Sequence, residues 1–485
     1  MIRFTKTSQM LSCRILSKES LDAIHYATLE VLEKTGVVVE SEKALKILEE
    51  TGCTVDYQKH LALIPPHVVN EALTRKPKNV TLYARNPKND VRLDGRHTFL
   101  CTDGSGTHTL DPKTGVRKAS TKEDLSVSAK IADYLDVIGV YWPMITSRDV
   151  PAHVRVLHDL EASLNNTEKH VQFETTTNPD EARFQIEMAA CVVGGKEELK
   201  RRPIISSCHC TIAPLAHAKG PTEAAIEFAK AGVPLYFLPM PQAGATGPIT
   251  LAGSLVVSNA ESLSGLAIVQ MAVPGAPVLY SSEASNFDMK TPRWCAGSPE
   301  CGLFTAVSSE LAKYYEMPST SAGFSADAKV PGAQACYEKA VTGALPIFAG
   351  YDVVGGLGLL DACTIFTPEQ LIIDAEIGRM LFRLAQGIEV NDETLALDLI
   401  HKIGPGGNYL AEKHTLEHMR KEHFLPEITD RRSYEAWKKA GSKTVVEVAR
   451  EKAKEILEKH QPTPLEKGVQ KEVKEIIKRA QRELT

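Results

Sequence analysis

Between residues 99 and 358 the chain repeats one pattern about eight times: a short apolar run, a loop rich in Gly, Pro or Ser, then an amphipathic stretch. The apolar runs fall at 99–102, 136–141, 170–174, 203–209, 234–238, 277–280, 319–324 and 345–354. Their starts lie roughly 25–45 residues apart, the length of a strand plus a crossover helix. The runs are nearly continuous in hydrophobic residues, as strands buried on both faces are. Helical periodicity follows at 122–134, 152–164, 179–192, 221–231, 254–273, 300–315, 332–342 and 367–386. Several of these stretches open with a side-chain oxygen beside proline, as at Asn178-Pro179, Ser298-Pro299 and Thr367-Pro368, which suits a helix N-terminus. Eight such units predict an α/β fold, a (β/α)8 TIM barrel over residues 96–388.

The flanks read differently. A helix is expected over 17–35, capped by Ser17 or Ser20 and stopped at Gly36. A second spans 41–50, and a third follows Pro65-Pro66. Residues 80–100 alternate like a small antiparallel sheet with turns at Asn86-Pro87 and Asp94-Gly95. Residues 1–95 are therefore expected to form an N-terminal α+β cap. Beyond 389 the chain turns rich in Glu and Lys with heptad-like apolar spacing at 445–460 and 469–484, which predicts a C-terminal helical segment over 389–485.

Composition narrows the function classes. A net charge of −5 over 485 residues argues against a nucleic-acid surface. The longest apolar stretch, 249–277, is interrupted by Asn259 and Glu261, so a buried helix is expected and not a membrane span. The N-terminus lacks the apolar core of a signal peptide. The ten cysteines form no C-x-x-C, so a cytoplasmic compartment is expected.

In a barrel of this kind the chemistry sits on the loops after the strands. Those positions collect Asp103, Glu174 and Glu283 together with Tyr141, Trp142, Phe173, Phe237, Tyr280 and Phe324. Carboxylates and ring faces suit a cation that cannot donate hydrogen bonds, such as a quaternary ammonium. On this reading the three acids set a negative field, Trp142 and Phe324 pack on methyl groups, and His209 or Lys329 holds a substrate carboxylate. Gly356, beside Gly355, would leave room at the rim for a large ligand. No metal is expected: Cys208 and Cys210 share a strand face while His209 points away. Lys329 also admits a Schiff-base reading, that of a lyase or aldolase, and a non-catalytic betaine-binding protein is a further alternative.

Longer motifs stand at the same strand ends: Gly244-Ala245-Thr246-Gly247-Pro248 with Asn259-Ala260-Glu261, Gly297-Ser298-Pro299-Glu300, and Ser325-Ala326-Asp327-Ala328-Lys329. Near the C-terminus come Gly404-Pro405-Gly406-Gly407-Asn408-Tyr409-Leu410, His414-Thr415 and Pro426-Glu427-Ile428-Thr429-Asp430-Arg431. In this order they resemble the trimethylamine methyltransferase family, which includes glycine betaine methyltransferases. The resemblance implies a TIM barrel that moves a methyl group from an amine to the Co(I) of a corrinoid (cobalamin) carried by a separate protein. It implies no cofactor held tightly by this chain. The trimethylamine enzymes carry pyrrolysine in the barrel, with its counterpart expected within 327–338, where every residue here is ordinary. That points to the branch using quaternary amines such as glycine betaine, with a corrinoid protein as partner and a homo-oligomeric assembly.

Overall fold

The computed structural model describes residues 4–5, 11–111, 114–173 and 177–484. Its centre is eight parallel strands: β1 (His97–Thr102), β2 (Ile138–Tyr141), β3 (His170–Phe173), β4 (Ile205–Cys210), β5 (Leu235–Leu238), β6 (Val278–Leu279), β7 (Thr320–Ala322) and β8 (Val353–Leu357). They pair in the order β6-β5-β4-β3-β2-β1-β8-β7. A parallel bridge from Tyr280 to Ser319 joins the two ends of that path. There the Tyr280 N–H donates to the Pro318 carbonyl (2.8 Å) and the Thr320 N–H to the Tyr280 carbonyl (3.0 Å). The barrel is closed, as the eightfold pattern predicts.

Its helices are α1 (Lys122–Tyr134), α2 (Arg155–Asn166), α3 (Pro179–Val193), α4 (Lys219–Lys230), α5 (Leu251–Ala272), α6 (Pro299–Tyr314), α7 (Ala333–Ala349) and α8 (Pro368–Ala385). The expected caps form. The Asn178 side chain accepts from the Asp180 and Glu181 N–H groups, Ser298 from Cys301 and Thr367 from Gln370. α5 is apolar on every side because the helices Lys18–Glu30, Glu42–Glu50 and Pro66–Arg75 pack over its outer face. Among the described residues it is the helix long and apolar enough to cross a membrane, and it lies buried inside the protein.

One strand differs from expectation. The run 345–354 is mostly the last turns of α7, which continues through Pro346 to Ala349 and stops at Gly350 in the left-handed region (φ 78°). β8 begins only at Val353. A short apolar run has no period of its own, and an internal proline argues against a helix.

The two ends of the barrel are unlike. At the bottom, where the strands begin, the hairpin Val80–Leu82/Val91–Leu93 packs Val80, Leu82, Val91 and Leu93 into one apolar cluster with Phe99 and Val353. It is tied there by the His170 ring nitrogen to the Tyr83 carbonyl (2.7 Å) and by Arg202 to Asp90 (3.1 Å). At the top, short rim sheets extend the loops: Gln242–Ala243 with Ser285–Asp288, and His108–Leu110 with Ile365–Phe366. Past α8, helix Val445–Lys459 packs on α8 and α1, and helix Lys467–Glu483 on α3.

Candidate active site

Asp103 follows β1 directly. Its N–H donates to the Leu357 carbonyl of β8 (2.9 Å), and its carboxylate accepts from the Gly104 N–H (2.9 Å). The group is buried, and burial raises its pKa, with the charge of Asp374 adding to the rise and the Cys363 thiol and Lys339 opposing it. Glu283 follows β6. Its carboxylate accepts from the Ala322 N–H of β7 (3.1 Å). Burial first, then the Asp103 carboxylate and Cys210, push it up to about 8. Two acids from strands 1 and 6 therefore stand close at the top of the barrel, and the Asp103 charge makes Glu283 harder to ionise.

Trp142, at the end of β2, supplies the aromatic wall. Its backbone N–H donates to the Thr102 hydroxyl (2.7 Å), which in turn donates to the Trp142 carbonyl (2.7 Å). The indole lies against Gly104, where a Cβ would stand 2.1 Å from Nε1. That buried Nε1 has no hydrogen-bond partner among the described residues. Tyr236 of β5 meets the indole edge-on, with centroids 6.4 Å apart at 85°. Its phenol, beside the Cys208 thiol, is held well above its usual range by burial.

Lys339 of α7 carries the buried positive charge that faces Asp103. Its ammonium pairs with Asp374 of α8 (2.9 Å) and donates to the carbonyls of Phe324 (2.6 Å) and Gly356 (2.9 Å). Cys363 closes the group from the loop after β8, where Asp361, Ala362 and Cys363 stand in succession at positive φ (51°, 51° and 65°). Three consecutive non-glycine residues in that region are strained, and such strain gathers at functional sites.

Around the ends of β1, β2 and β3 lies a cavity of about 320 Å³, lined by Ser105, Pro143, Thr146, Arg155, Asp159 and Phe173 among others. Ser105 and Pro143, on its wall, follow Asp103 and Trp142 closely in the chain, whereas Asp103, Trp142 and Glu283 themselves do not line it. Arg155 is its cation, and the buried Arg155 Nε has no hydrogen-bond partner among the described residues. Asp159 accepts from the Ser147 N–H (3.0 Å) and is raised to about 6 by burial.

Of the residues expected at the mouth, Asp103, Glu283 and Trp142 come together, and Glu174 lies outside the described residues. The others are placed elsewhere. His209 points outward from β4, between Phe237 and Phe228 of α4 (centroids 6.0 and 5.8 Å), and burial lowers it to about 3. Phe324 is wholly buried outside the barrel against Gly343 of α7. Tyr141 bonds Ser128 of α1 (2.8 Å), Tyr280 bonds Asn259 of α5 (2.9 Å), and Phe237 packs on Gly265 of α5. Lys329 is exposed on the rim, donating to the Asp327 carbonyl (2.5 Å) with Asp361 3.5 Å away. That is a solvated ion pair apart from the acids, not the enclosed amine a Schiff base requires. Gly356 is no open lip. At φ 96° its Cβ position would fall 3.0 Å from the Phe324 backbone, so it lets β8 cross close over the end of β7.

Tyr236, Cys363, Arg155 and the Lys339–Asp374 pair were not singled out from sequence. Tyr236 precedes Phe237 on one strand, and in a strand apolar on both faces alternation does not say which ring points inward. Among the described residues no group of three or more His, Cys, Asp or Glu is arranged to hold a metal.

Buried acids and an indole at the carboxyl ends of barrel strands define the active end of a TIM-barrel enzyme. The sequence matches the trimethylamine methyltransferase (MTTB) family over residues 4–485; the chain belongs to that family and is an amine methyltransferase. It is 38% identical to trimethylamine methyltransferase MttB of Desulfitobacterium hafniense (strain DSM 10664 / DCB-2), over 96% of this chain and 94% of that one. Identity is 35% with trimethylamine methyltransferase MttB of Methanosarcina barkeri, covering 96% and 95%. It is 32% with glycine betaine methyltransferase of Desulfitobacterium hafniense (strain Y51), covering 88% of each. Among solved structures, the monomethylamine methyltransferase MtmB of Methanosarcina barkeri aligns with a TM-score of 0.48 at 12% identity, over 90% of this chain and 94% of that one.

Proposed function

We propose that this enzyme takes a methyl group from a quaternary amine bearing a carboxylate, glycine betaine or a related betaine, and passes it to the Co(I) of a corrinoid (cobalamin) on a separate protein. The carrying observation is a shortage of positive charge: Asp103 and Asp374 face one buried ammonium, that of Lys339, and Glu283 is raised by burial and by the Asp103 charge. A substrate with a fixed positive charge supplies what is missing and favours the ionised form of both mouth acids. Trp142 and Tyr236 offer faces to N-methyl groups, where cation–π contact contributes on the order of 0.5–2 kcal/mol. To Arg155, the cation of the cavity at the ends of β1 to β3, we assign the substrate carboxylate, the role first expected of His209 or Lys329.

The chemistry asks little more of the chain. When the N–CH3 bond breaks, its electron pair stays on nitrogen and leaves a neutral tertiary amine, so no proton need be supplied. Co(I), the methyl acceptor, is a strong nucleophile in its own right. The residues named here hold the ammonium, orient one methyl group outward and exclude water. The ordinary residues over 327–338 support a quaternary over a tertiary amine.

The test is a panel of glycine betaine, dimethylglycine, trimethylamine and tetramethylammonium with free cob(I)alamin, followed by methylcobalamin absorbance. Faster turnover of the quaternary carboxylate is expected. Equal rates for quaternary and tertiary amines would remove the proposal.

A further inference from the structure

Lys76 ends the helix Pro66–Arg75, four residues before the hairpin at the bottom of the barrel, and the residue is only 7% exposed. Its ammonium carries three protons and gives one of them to a protein acceptor, the Glu316 carbonyl at 2.7 Å. Among the described residues it forms no ion pair, because the Glu316 carboxylate turns to Lys78 instead (2.5 Å), where both groups are solvated. Buried charges are ordinarily paired, as Lys339 is with Asp374. Burial disfavours the Lys76 charge, with the charge of Glu316 acting against that effect.

Lys76 opens onto a cavity of about 500 Å³, lined also by His25, Leu73, Lys78, Tyr314 and Glu316 among others. That size falls within the roughly 300–1,000 Å³ of small-molecule sites. Apart from its two lysines, the cavity has a wall rich in carbon. The rings of His25 and Tyr314 stand 5.5 Å apart, and the Tyr314 hydroxyl is already engaged by Asp22 (2.7 Å). Leu73 adds an aliphatic surface.

We infer that this cavity is a second ligand site, which takes a small organic carboxylate. The carboxylate would lie on the Lys76 ammonium, and its apolar or aromatic body against Leu73, His25 and Tyr314. One ammonium without a counterion matches one negative charge. A dianion such as phosphate would also meet the Glu316 carboxylate, which Lys78 already neutralises. The site is separate from the acids. α6 follows β6 and runs back down the barrel, so Tyr314, at its carboxyl end, lies at the opposite end from Asp103 and Glu283. Nothing in the inference rests on the proposed function.

Ligand-observed NMR on the full chain tests it, with benzoate as the probe and benzylamine and inorganic phosphate alongside. Benzoate should bind the wild type, and Lys76→Met should weaken that binding at least tenfold, the loss expected for a hydrogen-bonded charge. Benzylamine and phosphate should bind at least tenfold more weakly than benzoate. No benzoate binding, or equal binding to wild type and Lys76→Met, overturns the inference. Phosphate binding as tightly as benzoate overturns it too, since the site would then select charge and not an organic acid. If Lys76→Met does not fold, photolabelling of the wild type with 4-azidobenzoate and peptide mapping decide. Label within residues 70–78 or 314–316 that excess benzoate suppresses supports the site, and label confined to other segments refutes it.

Discussion

Lys339 and Asp374 form an ion pair of 2.9 Å with both side chains wholly removed from solvent. The pair bolts α7 to α8 behind the mouth, and the remaining ammonium protons bond the Phe324 and Gly356 carbonyls at the ends of β7 and β8. On the acid side, Gln370 Nε2 and the Gly358 N–H donate to Asp374 (2.7 and 2.6 Å). Satisfied in this way, the pair fixes the wall behind Asp103.

Removing one partner leaves a buried charge without its counterion. Lys339→Met should lower stability by about 3–5 kcal/mol in urea unfolding, and Lys339→Met/Asp374→Leu should recover much of that loss. A single variant as stable as wild type would contradict the burial of the pair.

Glu283, at about 8, is protonated at neutral pH in the free enzyme. A bound quaternary ammonium favours the ionised form, so affinity should rise from pH 6 to 8, by up to about tenfold per unit, then level off. Calorimetry in two buffers of different ionisation enthalpy should count a proton released on binding, and Glu283→Gln should abolish the release. The sign for folding is the opposite. An acid whose folded pKa is raised contributes fully below its unfolded value near 4.5, and that contribution drains away as pH climbs to about 8.

Gly104→Ala should displace the indole without removing any aromatic group, because the added carbon would meet Nε1 at 2.1 Å. Affinity for a quaternary amine should fall about 2- to 30-fold, matching the loss of one cation–π contact. Fluorescence of Trp142 should shift along with it. Unchanged affinity would place the cation elsewhere.

Arg155→Gln separates the two ends of the substrate. Loss of a charge-assisted bond to carboxylate costs about 1.5–3 kcal/mol, so betaine affinity should fall roughly 10- to 150-fold. Tetramethylammonium, which has no carboxylate, should bind as before. Equal losses for both would show that Arg155 acts on the fold and not on the ligand.

The barrel was legible because its signal is long-range and repeated: eight apolar runs, capped helices, glycine stops. Asp103, Glu283 and Trp142 were legible because each stands at the end of a well-marked strand. Gly356 was misread because a glycine's need for close backbone approach looks in sequence like open space; His209 and Phe324 were misplaced for another physical reason. In a parallel strand both faces are apolar, so position along the chain tells the height of a residue in the barrel and not the side it faces. Tyr236 and Phe237 show the same blindness from adjacent positions. Lys339 sits a turn and more into α7 and Arg155 opens α2, both past the strand-end stretches where sequence reasoning looks, and only folding brings them back toward the strand ends.

The hairpin Val80–Leu82/Val91–Leu93 gives the barrel a floor, and a floor dictates traffic. With one opening, amine in, methyl out and product away all use the same doorway. A methyl acceptor seated over that doorway would trap whatever lies beneath it. The amine must then enter first and the demethylated product leave last, a compulsory order that initial-rate kinetics would register as intersecting lines and product inhibition competitive with the amine alone.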